Sequence, residues 1–378
     1  MGKKRNLYTS KPNDNHSGID GMTKIAQLYR YSSTPTLPQK EIIEVKKKIS
    51  RVDKGIRQKI KGDTCRLCEN SCSSFCRSHS IPEFVLENIA ENGDVSAPRQ
   101  RDELEPLKTT GTGAAGVFFN ICRDCDSHRF QHYEQESAYR TLPSDEMLTE
   151  IAIKNYLKWM YTKTVDAEGE KLHEEKCALP ILIKHGGYLP TELDLQEYQF
   201  ELGKLLPLST CGNLKRFHLQ YYKELNYRVP FAAQYLIAML EDLEGNLIND
   251  IFNSDKSYHM EYLHVAIFPL EKTSVILLFT RDGQTRHRRF IRQLKKLSEI
   301  DQLSVINFLT FSGTDNVFIN PSTYQTLTNN LDFMDVCRMT YSVNSIVPNP
   351  NSHKIVMEEH SFSKRKAIPN LLAPEYAL

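Results

Sequence analysis

The chain has 378 residues, 40% of them hydrophobic and 25% charged, a composition that suits one large or two to three ordinary globular domains and excludes a wholly disordered chain. Its longest purely apolar run, Val275–Phe279, is too short to span a bilayer, and Met1–Asn6 has charge but no apolar stretch behind it, so a cytoplasmic chain with no membrane partner and no secretory leader is expected. The 48 basic and 47 acidic residues exclude a uniformly basic coat but hide a segregated one: residues 1–61 hold 15 Lys/Arg against 5 Asp/Glu, leaving 33 against 42 elsewhere. A basic arm on an acidic body points to a nucleic-acid or protein partner.

Residues 1–38, rich in Ser, Asn, Pro and Lys, read as a flexible arm with a short helix near Met22–Tyr31. From Glu41 to Ile60, Ile42, Val45, Ile49, Val52, Ile56 and Ile60 recur at three- and four-residue spacing between lysines and arginines, the pattern of a basic amphipathic helix. Residues 63–135 carry six of the nine cysteines, interrupted by a polar excursion over Glu91–Gly116. The glycines of Gly111–Gly116 are not a phosphate loop, because no Lys-Ser/Thr follows them. A helix is expected over Asp145–Tyr161, with Leu148, Ile151, Ala152, Tyr156 and Trp159 on its core face, then a charged loop over 162–177 and a largely helical stretch over 189–225. Tyr262–Leu270 and Thr273–Thr280, rich in β-branched and aromatic residues, read as a hairpin. Phe290, Ile291, Leu294, Leu297 and Ile300 mark a further helix. Its other face holds Arg288, Arg289, Arg292, Lys295 and Lys296, which together with Arg286 form a candidate phosphate-binding surface. Val305–Phe311 reads as a strand. The expected division is a flexible basic arm at 1–38, a helix with the cysteine module at 39–161, an α+β domain at 162–345 and a partly disordered tail at 346–378.

The chemistry is concentrated in the cysteines. Cys65-Arg-Leu-Cys68 and Cys122-Arg-Asp-Cys125 supply two C-x2-C pairs, four thiolates that suit a tetrahedral structural zinc ion. In a reducing compartment such a cluster reads as metal-binding before it reads as disulfides. Cys72 and Cys76 compete for the ion by spacing and are read instead as free or buried thiols. Between the pairs lies Arg77-Ser-His79-Ser-Ile-Pro-Glu-Phe84, and the second pair runs on as Asp126-Ser-His128-Arg-Phe130-Gln-His132.

This order, C-x2-C, His-x-Ile-Pro, then C-x2-C near the start of a helix, resembles the zinc-containing HNH endonucleases over residues 63–135. The resemblance implies an α+β chain: a zinc-stabilised ββα-metal (HNH-like) module followed by a larger mixed α/β C-terminal region. It also implies metal-dependent hydrolysis of phosphodiester bonds in nucleic acid, DNA in the first instance. His79 would be the general base, Asn120 would orient it, and Asp126 would stand where the family has its final His or Asn. Mg²⁺ or a similar divalent ion would stabilise the transition state. The sequence departs from the family at three points: Ser78 replaces the acidic metal ligand before the first histidine, Asn120 lies only two residues before the second pair, and Asp126 replaces the final histidine. The other reading stays open beside the nuclease: a catalytically inactive, zinc-stabilised module that binds nucleic acid or, through the C-terminal region, a protein. In it His79 is a structural histidine, Asn120 a turn residue and Asp126 a helix cap. His128 and His132 share a face at i,i+4 spacing, and Glu134 reads as a helix-surface residue.

Overall fold

A computed structural model describes residues 47, 51, 54–60, 62–98, 109–176, 192–208, 216–253, 255 and 257–342, and the C-terminal stretch 352–378. The expected arm at 1–38 lies outside these residues. Of the expected basic helix, residues 47, 51 and 54–59 are described, and they are helical.

After that helical segment come the first cysteine pair and a short strand β1 (Ser78–His79). A one-turn helix α1 (Glu83–Glu87) and strands β2 (Asp94–Ser96) and β3 (Thr109–Gly111) follow. Strand β4 (Val117–Phe118) then pairs antiparallel with β1, setting Ser78 opposite Phe118 and His79 opposite Val117. Helix α2 (Arg123–Arg129) starts at the second cysteine pair. The module is therefore two short antiparallel strands and a helix, with one cysteine pair before the hairpin and the other at the helix start. Gly116 makes the turn into β4: its φ is +67°, and a Cβ there would fall 2.5 Å from Ser80 Oγ. The glycine serves the β1–β4 hairpin.

Helix α3 (Asp145–Lys176) is the spine of the molecule. Ser144 starts it by accepting the Met147 N–H, and Asp145 and Glu146 place negative charge at its positive end. Residues 147–157 are all buried, so this stretch is core on every side and not an amphipathic surface helix. Helix α4 (Glu192–Leu208) packs against it.

Strands β5 (Phe217–Leu225), β6 (Phe231–Ile237), β7 (Leu263–Pro269), β8 (Ser274–Arg281) and β9 (Val317–Ile319) join β2 and β3 in one seven-stranded sheet, ordered β3-β2-β9-β6-β7-β8-β5. Every recorded pairing is antiparallel. β6, β7 and β8 are buried along nearly their whole length, which requires cover on both faces. Side chains alternate between the two faces. Ala232, Leu236, Ala266, Phe268, Val275, Leu277 and Phe279 share a core with α3, α4 and the cysteine module. Phe231, Ala233, Tyr235, Leu263, Val265, Ile267, Ile276 and Leu278 share the other. That second face is covered by α5 (Arg288–Lys296), α6 (Glu299–Gly313) and α8 (Leu331–Ser342), with α7 (Pro321–Leu327) and α9 (Ser352–Glu359) nearby in the chain. No helix among the described residues is long and apolar enough to cross a membrane.

The mixed α/β class and the Tyr262–Thr280 hairpin are as expected. Three expectations need correction. The loop expected at 162–177 is the continuation of α3 as far as Lys176. In the helical stretch expected at 189–225, residues 192–208 are helical but Phe217–Leu225 is strand β5. Val305–Phe311 is helical, inside α6, whose Ser298 cap accepts the Asp301 N–H. Of the tail expected to be partly disordered, residues 352–378 are packed, with Ile368, Leu371 and Leu372 in the second core, and 346–351 lie outside the described residues. The boundary expected at 161/162 falls inside α3, and the polar excursion contributes β2 and β3 to the main sheet.

Candidate metal centre and the buried cation beside it

Cys65, Cys68, Cys122 and Cys125 come together, their four sulfurs all within 4.8 Å of one another. Cys68 Sγ and Cys122 Sγ stand 3.9 Å apart. Metal–sulfur bonds of about 2.3 Å in a tetrahedron put the sulfurs roughly 3.8 Å apart, so the cluster fits one ion. The first pair sits on a tight turn. Glu69 donates its N–H to Cys65 O at 3.0 Å and adopts φ +57°, the left-handed conformation that reverses the chain. The second pair opens α2: Cys122 is its cap and accepts the Cys125 N–H. Burial opposes ionisation of the Cys65 thiol, but backbone N–H groups of Cys68, Cys122 and Leu67 directed at its sulfur lower its pKa to about 7. Cys72 and Cys76 lie outside the cluster.

A second constellation lies alongside. The Lys154 side chain, 1% exposed, enters from α3. Its Nζ lies 2.8 Å from Asp126 Oδ1, 2.8 Å from Ser78 Oγ and 3.0 Å from Glu134 Oε1. It also stands 3.9 Å from the centre of the Phe130 ring, a cation–π contact. Ser78 Oγ donates to Asp126 Oδ1 at 2.5 Å, and Cys76 Sγ donates to Asp126 Oδ2 at 3.2 Å. Burial works against the Asp126 carboxylate, but Lys154, Ser78 and Cys76 outweigh it and hold its pKa below the usual range. Glu134 shares the same ammonium, yet burial wins there and raises its pKa. Burial and the Asp126 bond push the Cys76 thiol up to about 11.

The expected catalytic residues part company here. Asp126, its side chain 20% exposed, is bound up with Lys154, Ser78 and Cys76, and the cap of α2 is Cys122 instead. Asn120 is buried and turned to α3, its Nδ2 donating to Leu157 O at 2.9 Å, so it does not orient His79. His79 lies on β1 beside Ser78, and its Nε2 is buried without a hydrogen-bond partner. No hydrogen bond among the described residues joins His79 to Asn120 or Asp126. His128 and His132 go separate ways: His128 Nδ1 meets Asp124 O, and His132 Nδ1 meets Glu150 Oε1. Glu134 lies beyond the end of α2, and its side chain, 31% exposed, reaches from the surface to Lys154.

Sequence reasoning missed Lys154. The signal was present as a lone lysine inside the apolar run of α3, where a buried charge needs a partner. No protein-family model, curated protein or solved structure matches the chain.

Proposed function

We propose that residues 63–135 form a zinc-stabilised, HNH-like module in which a lysine ammonium takes the place of the divalent cation, and that the chain is a binding protein and not a hydrolase. One observation carries this reading. Ser78 and Asp126 occupy the positions where the HNH resemblance expects metal ligands, and both lie 2.8 Å from Lys154 Nζ. A buried ammonium held by two carboxylates already supplies the positive charge there. A divalent ion in the same space would have to displace it against strong repulsion.

Zinc at Cys65, Cys68, Cys122 and Cys125 is supported by four sulfurs with tetrahedral spacing and by N–H groups aimed at Cys65 and Cys122. It would fix the β1–β4 hairpin against the start of α2, a structural task.

The nuclease reading retains one supporting observation, the unpartnered His79 Nε2 on β1. The two readings part in a cleavage assay. The zinc-loaded protein, incubated with duplex DNA, single-stranded DNA and RNA in Mg²⁺ or Mn²⁺, is expected to leave all three intact. Cleavage that depends on the added ion and is lost in His79→Ala, with zinc content unchanged, would replace the binding reading with the nuclease.

A further inference from the structure

Helix α5 carries four cations that no acidic group among the described residues meets. Arg288, Arg292, Lys295 and Lys296 are all exposed. Their spacing places them on one helix face over about 12 Å. The opposite face is anchored by buried Phe290, Ile291 and Leu294. None of the four side chains makes an ion pair or hydrogen bond among the described residues.

Their neighbours behave differently. Arg289 is met by Asp242 at 3.1 Å and by Glu244. Arg286 donates to Asn249 Oδ1 at 3.0 Å and His259 O at 2.9 Å, and faces Glu261. The described residues therefore supply partners to two of the six cations in this segment and none to the other four.

Left alone, the arrangement is unfavourable. Arg288–Arg292 and Arg292–Lys296 are like-charge pairs at i,i+4 spacing. Arg288 sits at the N-terminal end of the helix, where the dipole disfavours positive charge, and the first turn holds no acid. A face shaped only for solvation would intersperse acids, and the chain beyond residue 61 has acids in excess.

We propose that this face of α5 is a nucleic-acid-binding surface that grips the phosphate backbone. Each strand of a duplex presents a phosphate about every 3.4 Å of rise, so the 12 Å row spans roughly three or four of them. A lipid surface is the poorer fit, because a membrane-docking helix exposes apolar residues beside its cations, whereas Phe290, Ile291 and Leu294 are all buried. The surface lies across the sheet from the cysteine module: the apolar residues of α5 belong to one core and Cys65 to the other. This inference deepens the binding role proposed above by naming a partner and a surface, and it rests on that reading only for the absence of cleavage.

The test is fluorescence anisotropy of labelled duplex DNA, single-stranded DNA and RNA with the full-length, zinc-loaded protein. Four released counterions predict a loss of roughly 100-fold in duplex affinity between about 50 and 200 mM salt. The variant Arg288→Gln/Arg292→Gln/Lys295→Gln/Lys296→Gln is expected to lose at least about 10-fold in affinity at low salt and most of the salt dependence. Its melting temperature should not fall, since the substituted side chains are exposed. A matched variant removes four exposed cations from the helical segment before the cysteines, Lys47→Gln/Arg51→Gln/Lys54→Gln/Arg57→Gln, and should cost less than about 3-fold. Binding that survives in the α5 variant but fails in the matched one overturns this surface while leaving the binding role in place. Binding to anionic vesicles and to no nucleic acid overturns the partner. Cleavage of the probe, with the α5 dependence intact, overturns the non-hydrolytic reading and keeps the surface.

Discussion

Two sets of positive charge on this molecule are treated in opposite ways. Lys154 is buried, and each of its contacts is matched: two carboxylates, a hydroxyl and an aromatic face. The cations of α5 are exposed, and four of the six between Arg286 and Lys296 lack acidic partners among the described residues. The first arrangement is closed, since every charge it contains is answered from within the chain. The second is open and calls for negative charge from outside. The difference separates a self-contained centre from the proposed interaction surface, although the sequence marks the cysteine module as the more suggestive of the two.

The closed centre should break hard. Cys65→Ser or Cys122→Ser removes a ligand, and a structural zinc site contributes on the order of 10 kcal/mol to folding. We expect loss of bound zinc and of the cooperative unfolding transition, read by elemental analysis and circular dichroism, whereas Cys72→Ser should keep both. Lys154→Met leaves the half-buried Asp126 and Glu134 without a counter-charge, at a cost of about 2–3 kcal/mol in urea unfolding, less than for a fully buried pair because both carboxylates reach solvent. Adding Asp126→Asn and Glu134→Gln to Lys154→Met should recover part of that loss. If the triple variant is as unstable as the sum of its parts, the three groups do not act as a unit.

The interior also sets a limit on charge. His264 and His287 are almost fully buried. Burial lowers His264 to about 3, helped by His287 and Arg281, and lowers His287 to about 4, helped by Arg286. Both imidazoles are therefore neutral in the folded state, while the unfolded chain takes up protons near pH 6.5. The stability they contribute is complete above about pH 6.5 and is lost as pH falls toward 4, on the order of 3 kcal/mol for each. Thermal melts between pH 7 and 4 should show this, and His287→Gln should flatten the slope. Glu197 runs the other way. Burial, with Asp194 and Glu201 nearby, raises it to about 7, so its favourable contribution is present below about pH 4.5 and is lost as pH rises through 7. Glu197→Gln should therefore raise the melting temperature more at pH 8 than at pH 5. The smallest effect belongs to the open surface: the four glutamines on α5 should change stability by less than about 1 kcal/mol, upward if at all.

The cysteine spacing read true because ligand chemistry is local: two C-x2-C pairs need only a turn and a helix start. The β7–β8 hairpin was legible for the same reason, as adjacent apolar strands joined by a short turn. What escaped were long-range matters. Val305–Phe311 has strand-like composition, yet tertiary packing buries it as part of a helix; the Ser298–Asp301 cap was the local sign. Leu371 and Leu372 sit in a Pro/Asn-rich tail and are ordered by a core that the sequence alone does not locate. Asp126 and Glu134 looked like a cap and a surface group because their partner lies on a different helix, far along the chain.

The central claim is that Lys154 fills the cation position beside the cysteine cluster. Mn²⁺ titration of the zinc-loaded protein, followed by electron paramagnetic resonance, tests it most directly. The account predicts no stoichiometric Mn²⁺ site in the native chain. A tight site, with one Mn²⁺ per chain, that vanishes in Asp126→Asn while zinc is retained would contradict it.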